Sequence, residues 1–192
     1  MIASALEPGI VELGRVSSPD GAVTLMLGDI AGASDLAEQL GEERWSSLLR
    51  DYQSLVSQVL AHHDGELTRA EQDGFLASFA SAHAGLHAAV ELQRTFTRPG
   101  AGSGDGDDDG PAMAIRIGLH TGFVIANPDQ PLGRNAVLAS RIAARAGGGE
   151  ILASSALKDY TASDPSFSFA FHGEYHFKGV LGEHAVYAVD WR

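Results

Sequence analysis

The sequence predicts an α+β fold with a ferredoxin-like core, a βαββαβ unit built on an antiparallel sheet, followed by C-terminal α/β elaborations. Short apolar runs and long helical patterns alternate in the order strand, helix, strand, strand, helix, strand. Asp73-Gly74, between the second and third strands, is a hairpin signal. Because hairpins join antiparallel strands, the helices cannot all connect parallel strands. The 192 residues suffice for one domain with its own core.

The first strand is predicted at 23–27, because this run is short, apolar and followed by Gly and Asp. A helical pattern comes next, with Ser34 or Asp35 as its N-cap. Its apolar positions recur at spacings of three and four up to about His62, with a break near Gly41.

The rest of the chain follows the same rules. Apolar runs bounded by turn residues predict further strands at 66–70, 75–79, 113–120, 123–126, 150–153, 167–171, 174–177 and 184–189. Helical periodicity predicts helices at 82–96, at 134–146 and from a Ser154 cap to about Tyr160. Thr121-Gly122 is interpreted as a turn between two strands.

Two segments lack an apolar anchor. Residues 1–20 are expected to be a lead-in or linker, with the domain at 21–192, and residues 98–111, rich in Gly and Asp, are expected to form a mobile acidic loop.

Composition excludes several functional classes. Thirteen Lys and Arg stand against 25 Asp and Glu, a formal charge of −12, which repels nucleic-acid phosphates and anionic membranes. We therefore expect neither as a partner, and no apolar stretch reaches the roughly 18–20 residues that span a bilayer. The absence of cysteine excludes a disulfide scaffold, a thiol nucleophile and Cys-ligated metal, and fits a cytoplasmic location.

Two aspartates occupy positions that suit chemistry. Asp29 lies between the first strand and the first helix, and Asp73 lies in the hairpin turn. If the strands are neighbours, both carboxylates reach one crevice, where they and a backbone carbonyl such as that of Ile30 suit a hard cation like Mg²⁺. Gly32 and the helix start would offer N–H groups to a phosphate. Taken singly, Asp29 could be only a helix cap and Asp73 only a turn former.

The histidines are weaker candidates. His83 and His87 are four apart, a spacing that can bind metal on a helix, but no third ligand is evident and a solvated helix face is favoured. His62-His63 is expected to end a helix, favourably placed at the negative end of its dipole. His120, on a strand, is expected to be packed rather than catalytic.

Six stretches in one order resemble the class III adenylate and guanylate cyclase catalytic domain. VTLMLGDIAG (23–32) resembles the family strand ending in D-I-x-G-F-T, and GELTRAEQDGFLASF (65–79) resembles its G-x-x-x-K-x-x-G-D-G-x-x-A-x-F hairpin. The other four stretches are AIRIGLHTGFV (114–124), LGRNAVLASRIA (132–143), GGEILASS (148–155) and GEYHFKGV (173–180). Together they cover about residues 21–190.

The resemblance implies a reaction and an assembly. A nucleoside triphosphate, with ATP as the first candidate, would be converted to a 3′,5′-cyclic nucleotide and pyrophosphate. Two Mg²⁺ or Mn²⁺ ions per site would be held by Asp29, Asp73 and the Ile30 carbonyl. Arg141 matches the arginine that stabilises the transition state. The family builds its site across a dimer interface, so a homodimer of this chain would carry two equivalent sites.

The resemblance also assigns nucleotide contacts, to Gly32, Arg69, Arg116, Gln130, Val137 and Lys178. Several of these depart from the family pattern. Val137 replaces an asparagine that orients the ribose, and valine offers no side-chain hydrogen bond. Arg69 replaces a base-reading lysine, Gln130 stands where the family has Asp or Thr, and Gln72 replaces a glycine. The alternative is therefore a degenerate cyclase-homology domain that binds nucleotide or regulates by dimerisation without turnover.

Overall fold

The computed structural model describes residues 20–98, 113–123 and 133–192. The strands are β1 (Ala22–Ile30), β2 (Glu66–Ala70), β3 (Gly74–Phe79), β4 (Ile115–Phe123), β5 (Ile151–Ser154), β6 (Ser168–His176) and β7 (Glu183–Asp190). The helices are α1 (Ala33–His62), α2 (Ala82–Phe96), α3 (Gly133–Ala143) and α4 (Ser155–Tyr160).

One seven-stranded sheet has the order β2-β3-β1-β4-β5-β7-β6. In its first half, β1 lies between β3 and β4 and is antiparallel to both, and β2 pairs antiparallel with β3. This is the predicted ferredoxin-like core, which the structure confirms. The C-terminal half adds β5, parallel to β4, and the antiparallel β6–β7 pair.

Helices cover both faces of the sheet, and the alternation of β1 shows how. Met26 and Ile30 belong to the large core formed with α1 and α2. Val23 and Leu25 point the other way and pack against Ala136 and the rest of α3. Because side chains alternate along a strand, Asp29 shares the α3 side of the sheet with Val23 and Leu25.

A buried glutamine joins the two halves of the sheet. The Gln93 amide of α2 donates to the carbonyl oxygens of Ile115 and Glu150, at 3.0 and 3.2 Å. These carbonyls lie at the starts of β4 and β5, so α2 fixes the parallel pair at one end.

Most predicted elements are confirmed, but two predicted breaks in strands are wrong. Thr121-Gly122 is no turn: β4 continues through it, because both residues pair with β1 and the hydroxyls of Thr24 and Thr121 hydrogen-bond at 2.8 Å. The strands predicted at 167–171 and 174–177 are one strand, β6, whose register shift between Phe171 and Gly173 absorbs the interruption of the pattern.

The helix boundaries need smaller corrections. The break at Gly41 is confirmed by its φ of 74° inside α1, and the Ser154 cap by a hydrogen bond from the Leu157 N–H. By contrast, α3 ends at Ala143, short of the glycines predicted to stop it.

Three predictions fall wholly or mainly outside the described residues: the lead-in at 1–20, the loop at 98–111 and the segment 123–126 beyond the end of β4. Within the described ranges, no helix combines the length and the apolar character required to cross a bilayer.

Candidate nucleotide and metal site

Backbone pairing brings the two predicted metal ligands together. In β1, Asp29 lies opposite Gly74 of β3 on one side and opposite Arg116 of β4 on the other. The Ile30 N–H donates to the carbonyl oxygen of Asp73 at 2.8 Å. The hairpin turn is therefore held against the end of β1 by main-chain atoms, and the position of Asp73 does not depend on its own side chain.

Gly74 allows this close approach. A Cβ at that position would lie 3.1 Å from the Gly28 carbonyl oxygen and 3.3 Å from the Asp29 Cβ. Both distances are shorter than ordinary van der Waals contact, so a larger residue would push the hairpin away from Asp29.

Asp29 and Asp73 line one cavity of about 310 Å³, which we call the carboxylate cleft. The end of β1, the hairpin turn and the first turn of α1 form its walls, with Arg116 from β4 and Ser140 from α3. The structure thus brings together Asp29, Ile30, Gly32 and Asp73, which the sequence placed in one crevice, and adds Arg116, whose nucleotide contact the resemblance implied.

The start of α1 faces this cleft without a side-chain cap. Gly32 is the N-cap residue, in a left-handed conformation with φ 70°, and among the described residues no side-chain capping hydrogen bond is found there. The predicted capping by Ser34 or Asp35 is therefore wrong, because both lie within the first helical turn. Uncapped N–H groups and the positive end of the helix dipole suit a phosphate.

Charge in the cleft is partly balanced. Burial raises the pKa of Asp29 most, the charge of Asp73 adds to the rise, and an ion pair with the Arg116 guanidinium opposes it. Only 13% of the Asp29 side chain is exposed. Two nearby carboxylates with one cation leave a net negative site made of oxygen donors, and this donor set fits Mg²⁺ or Mn²⁺.

Comparison with known proteins agrees with this geometry. The profile of the adenylate and guanylate cyclase catalytic domain matches residues 16–190. The chain belongs to this family. An uncharacterised protein of Mycobacterium tuberculosis is 29% identical over 143 residues, which are 73% of this chain and 45% of that protein. The chain therefore spans less than half the length of that relative.

Solved cyclase structures share the fold. The adenylyl cyclase CyaB of P. aeruginosa is 21% identical, with a TM-score of 0.76 over 88% of this chain and 93% of that one. The guanylate cyclase domain of RhGC from Catenaria anguillulae, solved in complex with GTP, is 17% identical, with a TM-score of 0.72 over 88% and 96% of the two chains.

Several predicted site residues of this cyclase domain lie outside the cleft of their own chain. Among the described residues, Arg69 on β2, Val137 and Arg141 on α3, and Lys178 beyond β6 do not line it. Lys178 is exposed and the other three are half-buried. Gln130 lies outside the described residues.

Arg141 has an unusual environment. Its Nε is buried but has no hydrogen-bond partner among the described residues. A buried guanidinium nitrogen without an acceptor is costly, so an acceptor from elsewhere would be favourable.

Sequence reasoning missed one buried residue that senses the charges of the two cleft aspartates. Tyr52 is fully buried in the core, and no hydrogen-bond partner for its hydroxyl is found in the described part of the chain. Burial raises its pKa most, and the charges of Asp29 and Asp73 add to the rise, so the phenol lies within electrostatic range of both carboxylates. The helical spacing of Tyr52 from Trp45 indicated only core packing, so no sequence signal distinguished it.

Proposed function

We propose that this domain is a nucleotide cyclase that converts a nucleoside triphosphate, with ATP as the first candidate, to a 3′,5′-cyclic nucleotide and pyrophosphate. The observation that carries the proposal is the carboxylate cleft, where Asp29 and Asp73 lie beside the uncapped start of α1. Two candidate metal ligands and a helix start that would suit a phosphate thus line one cavity of about 310 Å³. The lack of cysteine and the proposed nucleoside triphosphate substrate support a cytoplasmic location.

In this reaction, the ribose 3′ oxygen forms a bond to the α-phosphorus and loses its proton to solvent. The bond between the α-phosphorus and the bridging oxygen of the β-phosphate breaks, and pyrophosphate leaves. Two divalent ions held by Asp29, Asp73 and the Ile30 carbonyl would supply an acidified 3′ hydroxyl and charge neutralisation on the phosphates.

The residues around the cleft would bind and orient the triphosphate. The N–H groups following Gly32 would hold phosphate oxygens in line with the dipole of α1. Arg116 pairs with Asp29 through its Nε, which leaves the other guanidinium N–H groups to reach a phosphate at the rim.

A second copy of the chain would complete the site. Arg141 and Lys178 lie outside the cleft that holds the aspartates of their own chain, and Arg141 has a buried Nε that lacks an acceptor within the described residues. In a homodimer with a two-fold axis, each chain would supply carboxylates to one site and Arg141 to the other. Arg141 would then neutralise charge developing on the α-phosphate.

Base selectivity is expected to be weak. The proposed reading pair is Arg69, a fixed cation, and Gln130, an amide that can present either a donor or an acceptor. Because Gln130 carries no charge, the pair presents a cation and a neutral amide, so acceptor-rich base edges are favoured over adenine alone.

A second candidate function is regulation without turnover. Val137 stands in place of the ribose-orienting asparagine, and loss of one such polar group costs on the order of 10²–10³ in rate in other enzymes. The Arg116 ion pair also occupies one of the two metal carboxylates. A nucleotide-binding dimerisation module would tolerate both features.

One assay separates the two candidates. The chain is incubated with each of ATP, GTP, CTP and UTP and with Mn²⁺ or Mg²⁺, and cyclic products are identified by mass. A cyclase yields product with at least one triphosphate, and Asp73→Asn abolishes it. Val137→Asn should raise the rate of a slow wild type. Nucleotide binding without cyclic product, in both the wild type and Val137→Asn, would instead establish the regulatory module.

A further inference from the structure

A second group of metal-ligating side chains lies at the other end of α1. His62 and His63, at the C-terminal end of that helix, meet Glu91 of α2, and we call these three residues the histidine cluster. The His63 Nε2 lies 2.7 Å from the Glu91 carboxylate, and the His62 Nδ1 lies 3.3 Å from it. The three ligand atoms all lie within 4.8 Å of one another.

We propose that the histidine cluster binds a divalent transition-metal ion such as Zn²⁺, which would join the C-terminal end of α1 to α2. The site does not depend on the cyclase reaction, and it shares no residue with the carboxylate cleft.

The spacing of the ligand atoms already approaches that of a metal site. Bonds of about 2.0–2.1 Å in a tetrahedral zinc site place ligand atoms about 3.4 Å apart. The distance from His62 to Glu91 has this value, and the distance from His63 to Glu91 needs to open by about 0.7 Å, within reach of side-chain rotation. A water molecule would take the fourth position, because the His62 side chain is 71% exposed.

The donor atoms select the metal. Two imidazole nitrogens and one carboxylate suit Zn²⁺ and its neighbours Co²⁺ and Ni²⁺, whereas Mg²⁺ and Ca²⁺ prefer sites made of oxygen. The cluster and the cleft are therefore expected to bind different ions.

Neighbouring groups hold the ligands in place. The ring of His87 stacks on the ring of His63, with an angle of 11° between the planes, and Phe167 packs against His87. The backbone N–H of His63 donates to the backbone carbonyl oxygens of Val59 and Leu60. This fixes His63 at the end of a helix where the dipole favours a cation, and only 19% of its side chain is exposed.

The experiment measures metal binding to the tag-free chain. Co²⁺ is titrated and followed by its visible absorption, which is intense in a tetrahedral site, and Zn²⁺ affinity is obtained by competition. We expect the wild type to bind one equivalent of Co²⁺ with tetrahedral geometry. Zn²⁺ affinity should fall by at least about tenfold in each of His62→Gln, His63→Gln and Glu91→Gln. His83→Gln is the matched control, since His83 is also on α2 but outside the cluster, and it should stay within twofold.

Folding of the variants does not limit the test. Circular dichroism reports the helices of each variant, and His62→Gln alters a side chain that is mostly in solvent. Unchanged Zn²⁺ affinity in all three variants would overturn the proposal. Loss of the Zn²⁺ signal in Asp29→Asn, with the cluster variants unaffected, would overturn it as well, because the ion would then lie in the cleft.

Discussion

The carboxylate cleft and the histidine cluster lie at opposite ends of α1, and they are built in different ways. In the cleft, main-chain pairing positions the ligands: Asp29 belongs to a central strand, and the Asp73 carbonyl accepts a hydrogen bond from Ile30. In the cluster, the side chains of two helix ends meet at a partly exposed surface. A site on paired strands is rigid before any ligand arrives, whereas a site at helix ends depends on its side-chain contacts.

The two sites also differ in completeness. The three ligands of the cluster come from one chain. The cleft contains carboxylates and a helix start, while Arg141 and Lys178 lie outside it. If the proposals hold, catalysis requires two chains and zinc binding requires one.

Mixing inactive variants tests this difference most strongly. Asp29→Ala and Arg141→Ala should each lower turnover by at least about 10²–10³-fold. Mixed in equal amounts, half of the dimers carry both variants and each of these has one intact site, so about a quarter of the wild-type rate should return.

Zinc affinity, measured on the same mixture, should not change. Activity that stays absent in the mixture, while each variant remains folded and dimeric, would contradict a shared site.

The packing of α3 against β4, which forms one side of the carboxylate cleft, should be sensitive to a single added methyl group. A Cβ at Gly118 of β4 would lie 2.2 Å from the backbone nitrogen of Ala143, so Gly118→Ala must displace α3. We expect a loss of about 3 kcal/mol in the free energy of unfolding, measured with urea.

Gly147→Ala provides the control, because its Cβ would meet no atom closer than 3.7 Å. We expect this variant to lose less than about 0.5 kcal/mol. Equal stability of the two variants would show that α3 can move away from β4 at little cost.

The buried His120 should make the free energy of unfolding fall at acidic pH. His120 bonds Ser154 and Asn135, and burial lowers its pKa from 6.5 to about 4. The His120 imidazole of the unfolded chain binds a proton more readily than that of the folded chain. The stability that neutral His120 contributes to the fold is therefore fully present above about pH 6.5 and is lost as the pH falls towards 4. It amounts to at most about 3 kcal/mol.

Between pH 7 and pH 4, the free energy of unfolding should therefore fall less steeply with decreasing pH for His120→Gln, whose side chain at position 120 cannot titrate, than for the wild type. His176→Gln, at a side chain that is 78% exposed, is the control. Parallel pH profiles for His120→Gln and the wild type would rule out this role of His120.

The smallest effect is expected at the histidine cluster without metal. In the presence of a chelator, Glu91→Gln removes only partly exposed, solvent-screened contacts and should change the free energy of unfolding by less than about 1 kcal/mol. With Zn²⁺ at a fixed concentration well above the wild-type Kd, the wild type should gain more stability than Glu91→Gln, by about 1.4 kcal/mol or more for a tenfold difference in affinity. A large loss in the chelator would show that the cluster is a structural ion pair that needs no metal.

Sequence patterns predicted elements best where periodicity was long or the turn chemistry distinct. The helix at 82–96 and the strand at 66–70 have the predicted bounds. Predictions were wrong where a local signal competed with sheet pairing. Thr121-Gly122 has the composition of a turn, but its pairing with β1 keeps it extended.

By itself, the sequence determined the α+β class, the ferredoxin-like order of its elements and the family of the domain, because these follow from periodicity and from motifs local in the chain. It also singled out Asp29 and Asp73 as candidate metal ligands, since Asp29 follows an apolar strand and Asp73 lies in a hairpin turn. Only the tertiary structure decided which distant residues meet. The pairing of Arg116 with Asp29 and the meeting of His62 and His63 with Glu91 depend on strand register and helix packing. These contacts join residues 28 to 87 positions apart, so no local sequence pattern indicates them.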